Sequence, residues 1–148
     1  MMNNLRITLT KLHSLLTELK PVLAEELSQL NRPQLNPFTL QMLSDNKSRL
    51  LSTINFYEEQ RKVEESRLGM AAPYHQQPLL SSLWDNVIAI ARQTSSMNMS
   101  IYPIFELQMQ KASTLKSMVK QVSHRAALYG ADRTSQQKLK GKAYNINI

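Results

Sequence analysis

An all-α fold, an elongated antiparallel three-helix bundle or coiled coil, is the architecture this sequence predicts. Three observations carry the prediction. The 148 residues include 22 Leu and only three Gly, with abundant Gln, Ser, Glu and Lys and few β-branched clusters, a composition that favours helices over strands. Leu5, Leu9, Leu12, Leu16, Leu19 and Leu23 recur at alternating steps of four and three, the period of a helical seam. Gly and Pro punctuation then divides the chain into three long stretches, about 3–31, 37–68 and 79–127.

In the first stretch, Leu27 and Leu30 prolong the stripe. Pro21 removes one backbone hydrogen bond, and because the stripe keeps its phase the helix is expected to bend there and continue. The second opens at Asn36-Pro37, where Asn36 can cap the free N–H groups and Pro37 loses only a donor that had no partner. Leu35 and Leu40 are spaced as a hydrophobic staple. This helix is read through Leu40, Leu43, Leu50, Ile54 and Tyr57 to Leu68, with Gly69 as a left-handed stop. Lys47 and Arg61 fall on its seam, and their stems are expected to pack while their charges reach water, implying a shallow seam.

Residues 69–78, GMAAPYHQQP, read as a loop. The third helix carries Leu80, Leu83, Trp84, Val87, Ile88 and Ala91, then Met97, Ile101, Ile104, Leu107, Leu115, Met118 and Val122. Pro103 predicts a kink within it. At 1.5 Å per residue this helix spans about 70 Å against about 45 Å for the others, so its end must bend back or project beyond the bundle. Periodicity ends at Leu128. The expected organisation is thus a helical bundle over 1–127 and a flexible, disordered basic segment over 128–148.

Composition also limits function. The absence of Cys removes thiol catalysis, disulfides and thiolate metal sites. The N-terminal residues alternate polar and apolar without a signal-peptide core, and no stretch approaches the ~18 apolar residues of a membrane span, so a cytoplasmic protein without membrane insertion is expected. The formal charge of +7 is unevenly placed: residues 1–110 balance ten Lys/Arg against ten Asp/Glu, whereas 111–148 hold eight Lys/Arg and Asp132 alone. An acidic partner or a solvated end would account for that.

No catalytic constellation emerges. His13, His75 and His124 are far apart, no phosphate-binding or nucleophile motif is present, and Glu25-Glu26, Glu58-Glu59 and Glu64-Glu65 are expected to form surface pairs with basic residues one helical turn away. The sequence therefore reads as a non-enzyme with no metal and no cofactor. A nucleic-acid-binding role would rest on Lys138, Lys140 and Lys142 with Tyr144 as the only aromatic beside them, fewer stacking groups than such a surface uses. Four of the eight Met, at positions 97, 99, 109 and 118, share one stretch with Ile101, Ile104, Phe105 and Leu107. They suit either core filling or a surface that accepts apolar partners.

Two stretches carry a family resemblance. Residues 40–65, LQMLSDNKSRLLSTINFYEEQRKVEE, contain a Lys-Ser, a Leu-Leu pair and a Glu-x-x-Arg at Lys47-Ser48, Leu50-Leu51 and Glu58/Arg61. Residues 128–132 read LYGAD and are followed by a basic end closing in GKAYNINI. Both resemble the FlgN family of bacterial flagellar export chaperones, onto which Trp84, Asn98, Glu106 and Gln108 can also be laid without gaps between them. The resemblance implies a cytoplasmic chaperone for the C-terminal helical regions of flagellar hook-associated (hook–filament junction) proteins, FlgK/FlgL-like clients, delivered to the cytoplasmic domain of the export-gate protein FlhA. It implies gate docking through Leu128, Tyr129, Gly130, Ala131 and Asp132, with Tyr129 central. A client helix would lie on Ile101, Ile104, Phe105, Leu107, Met109, Leu115, Met118, Val119 and Val122, the chaperone being a monomer or weak dimer without nucleic acid. The alternatives are a nucleic-acid-binding helical protein and a non-flagellar type III secretion chaperone.

Overall fold

The computed structural model describes residues 2–123, so the expected tail and its LYGAD segment lie outside the described residues. Those described form three helices, α1 (Met2–Leu30), α2 (Pro37–Leu68) and α3 (Pro78–Ser123). Helix α1 continues through Pro21 and α3 through Pro103. Asn36 caps α2, its side chain accepting from the Thr39 N–H at 3.2 Å, and Gly69 ends it at φ 65°.

Helix α1 packs against both other helices. Lys20 reaches Gln93 at 3.0 Å, and the Gln108 amide donates to the Leu30 carbonyl at 2.9 Å, so α1 and α3 run in the same direction with α2 antiparallel to both. The predicted leucines Leu5, Leu9, Leu12, Leu16, Leu19 and Leu23 are all buried. The next seam residue is Glu26, three positions on; Leu27, one step out of phase, is half-buried and Leu30 closes the row.

Helix α2 departs furthest from expectation. Its alternating four-three seam runs through Leu40, Ser44, Lys47, Leu51, Ile54, Glu58, Arg61, Glu65 and Leu68, with Leu43, Leu50 and Tyr57 flanking it half-buried. Lys47 and Arg61 do not send their charges to water: they are 4% and 5% exposed. Carboxylates hold them inside. Lys47 Nζ lies 3.0 and 3.1 Å from the two oxygens of Glu26 and donates to Asn98 at 3.3 Å. The surface pairing expected of the glutamates holds for Glu59 with Lys62 and Glu64 with Arg67, but Glu26 and Glu58 are buried partners of the seam cations. A buried carboxylate keeps its charge only where such partners replace lost water.

In α3 the same four-three register runs without a break through Leu80, Trp84, Val87, Ala91, Thr94, Asn98, Ile101, Phe105, Gln108, Ala112, Leu115, Val119 and Val122. From Leu80 to Ile101 the row is buried, Asn98 being half-buried where it meets Lys47. Gln108 occupies the end of α1, satisfying one of the carbonyls a helix leaves open at its C-terminus. Residues 109–123 then run about 22 Å beyond that point, so of the two expectations for the long helix, projection is the one realised.

Candidate functional site

Two regions concentrate unusual chemistry, one closed and one open. The closed region surrounds Arg61. Its guanidinium bonds both oxygens of the fully buried Glu58, reaches Glu65 at 2.7 Å, and stacks 4.6 Å from the Trp84 ring centre. The same Glu65 oxygen also accepts from the Ala72 N–H at 3.1 Å and the Tyr74 hydroxyl at 2.5 Å. Tyr74 lies in the loop expected from the sequence, yet it is buried edge-on to Trp84 and adopts φ 61°, a left-handed conformation that bulky residues hold only when their surroundings fix them.

Burial by itself would lower the Arg61 pKa, but its bonds to Glu58 and Tyr74 and the charges of Glu58 and Glu65 outweigh that and raise it. Burial, then the bond to Glu65, pushes the Tyr74 phenol up, against a smaller opposing effect of Arg61. The guanidinium therefore stays charged and the phenol protonated, as suits a clamp joining the end of α2 to the following loop. A shallow depression beside it is lined by Arg61, Pro73, Trp84, Asp85, Ile88 and Arg92. Most of the motif residues of 40–65 thus face inward: Lys47, Glu58 and Arg61 are buried ions, and Leu50 and Leu51 are half-buried against the core.

The open region is the distal half of α3. Ala112, Leu115, Val119 and Val122 continue the buried seam in phase but are exposed, Leu115 by 63% and Val122 by 81%. Leu107 and Met118 flank the row and are exposed as well. Ile104, Phe105 and Met109 are half-buried at its root, whereas Ile101 is packed in the core, so it supports the surface from within. Ala112 was missed in the sequence because a small side chain carries little apolar signal; strict extension of the register from Leu80 finds it. Leu128, Tyr129, Gly130, Ala131 and Asp132 lie outside the described residues. His13 and His75 are exposed, and no group of three or more His, Asp or Glu able to hold a metal occurs among the described residues. No helix among them is long and apolar enough to cross a membrane.

A helical bundle whose longest helix carries its packing seam past the end of the bundle belongs to the class of coiled-coil proteins, here with an apolar face that no other described residue covers. Comparison with known proteins narrows the class. The chain is 27% identical over 146 residues to the flagella synthesis protein FlgN of Escherichia coli strain K12, covering 98% of this chain and 100% of that protein. It is 24% identical over 139 residues to its namesake in Proteus mirabilis, 94% of each chain, and 26% identical over 118 residues to that of Yersinia enterocolitica, 80% of each. No family model matches, and no solved structure matches significantly. Six curated relatives, all named flagella synthesis protein FlgN, support the assignment of this chain to the FlgN family.

Proposed function

We propose that the protein is a non-enzymatic cytoplasmic export chaperone of flagellum assembly. It binds the C-terminal helical region of a hook-associated protein, prevents premature assembly, and delivers it to the type III export gate. One observation carries this reading: in a chain whose relatives are flagella synthesis proteins, the core seam of α3 continues uncovered through Ala112, Leu115, Val119 and Val122. An amphipathic client helix laid on that row completes a bundle layer that α1 is too short to complete, the helix-in-groove mode. Covering a few hundred Å² of apolar surface at about 25 cal/mol/Å² contributes several kcal/mol before ordering costs, a strength that protects and still releases.

Docking to the export-gate protein FlhA is assigned to Leu128–Asp132, with Tyr129 supplying an aromatic anchor whose ring loses little conformational entropy on insertion. Calorimetric titration of the full chain with the C-terminal segment of a hook-associated protein tests the first step. Saturable one-to-one binding is expected, and its loss in a Leu115→Asp/Val122→Asp variant of unchanged helicity. Undiminished affinity in that variant would remove the client from this surface. Tyr129→Ala is expected to spare client binding and weaken gate capture in a pull-down; unchanged capture would refute its role.

A further inference from the structure

The charges beside the exposed seam say more about its occupant than the seam does. In the heptad register of α3, Lys111 directly precedes Ala112 and Lys116 directly follows Leu115. These are the two positions that border a helical seam on either side, where side chains of facing helices form the ion pairs that set partner choice. Both lysines are exposed, and neither forms an ion pair among the described residues. Between Glu106 and Ser123 there is no carboxylate at all. Elsewhere α2 and α3 mix both signs, and the charged positions of the α2 seam are matched inside the bundle.

From this juxtaposition we infer that the segment taken up by distal α3 is an amphipathic helix with acidic residues bordering its own apolar seam. The inference rests on the proposed function and deepens it by naming the partner's chemistry. A second copy of α3 on the same face would set lysine against lysine, and this chain's own remaining residues, 124–148, carry five Lys/Arg and Asp132 alone, so both are disfavoured by charge. Nucleic acid would satisfy the lysines yet leave Leu115, Val119 and Val122 facing phosphate and water.

The test uses the full chain and two synthetic helical peptides with the same leucine seam, one with Glu and one with Lys at the seam-bordering positions. The Glu peptide is expected to bind about tenfold more tightly than the Lys peptide at low salt, with the ratio shrinking as salt rises. A Lys111→Glu/Lys116→Glu variant, which keeps every charge of 124–148, is expected to reverse the preference. A Leu115→Asp/Val119→Asp variant keeps both lysines and is expected to lose both peptides. If the two peptides bind equally and that variant still loses both, the acidic-partner inference is overturned while the seam stands as the docking site. If the variant binds as well as the unaltered chain, or neither peptide binds the unaltered chain, the seam falls with the inference. Displacement of the Glu peptide by duplex DNA at physiological salt would assign the lysines to phosphate and overturn it too.

Discussion

Leu80 and Leu115 hold equivalent positions in the same helix and the same register, and they meet opposite environments. Leu80 is in the core and Leu115 faces water. The difference comes from helix length: α1 ends at Leu30, opposite Gln108, and α3 continues for fifteen residues past that level. The proximal half of α3 finds its partner within the chain; the distal half carries the same pattern with no such partner among the described residues. An apolar stripe reports which face of a helix will be covered, and only the fold shows whether the chain itself covers it.

Breaking the packed layer that covers the proximal half is expected to be costly, most of all at the buried ion pairs that α2 brings to it. Arg61→Ala leaves the fully buried Glu58 without its cation and is expected to destabilise the fold by about 3–5 kcal/mol in denaturant unfolding. Lys47→Ala strands Glu26 to similar effect, and a double change of Lys47→Met with Glu26→Leu is expected to recover most of the loss. Leu80→Ala follows at about 2–5 kcal/mol, the range for emptying a core leucine site.

Smaller effects sharpen the boundary. Tyr74→Phe loses a charge-assisted bond to the Glu65 carboxylate, expected to cost about 1.5–3 kcal/mol, and also changes the pH response. Because the folded phenol holds its proton above its ordinary pKa of 10.0, its contribution is complete below pH 10.0 and declines as pH rises beyond it. The Phe variant should therefore show a flatter alkaline fall in stability. Gln108→Ala removes the bond to the Leu30 carbonyl and is expected to cost about 1 kcal/mol, read from the unfolding midpoint. Leu115→Ala closes the series with a change within about 0.5 kcal/mol, as befits an exposed site, while weakening client binding. A large stability loss there would mean that the distal seam is already covered in the free chain.

How legible each part was follows from what fills its seam. Helix α1 is legible almost residue by residue because six consecutive seam positions are leucine; the exception is Glu26, where a carboxylate holds the apolar phase and Leu27 beside it carries the stronger apolar signal. The caps at Asn36 and Gly69 were legible because few residues serve those backbone conformations. The span of α2 and the seam places of Lys47 and Arg61 were legible too, but the burial of their charges was not, nor were Ser44, Glu58 and Glu65 as seam residues, since a charge is ordinarily a mark of the exposed face. No local pattern announces that Lys47 will meet Glu26 and Asn98, which are distant in sequence. Tyr74 was hidden for the same reason: a loop residue becomes core through contacts with Glu65 and Trp84. At the candidate site the apolar residues and the surplus length of α3 could be read from the pattern, whereas the level at which burial stops, and that the surplus projects and does not fold back, required the contact of Gln108 with the end of α1.

Hydrogen exchange along α3, with and without the C-terminal segment of a hook-associated protein, tests the central claim most directly. In the free protein the amides of residues 80–101 should exchange slowly and those of 109–122 quickly, because only the former lie in the packed layer. Client binding should slow the second group by about two orders of magnitude and leave the first nearly unchanged. Binding that protects another face while residues 109–122 continue to exchange quickly would contradict the account.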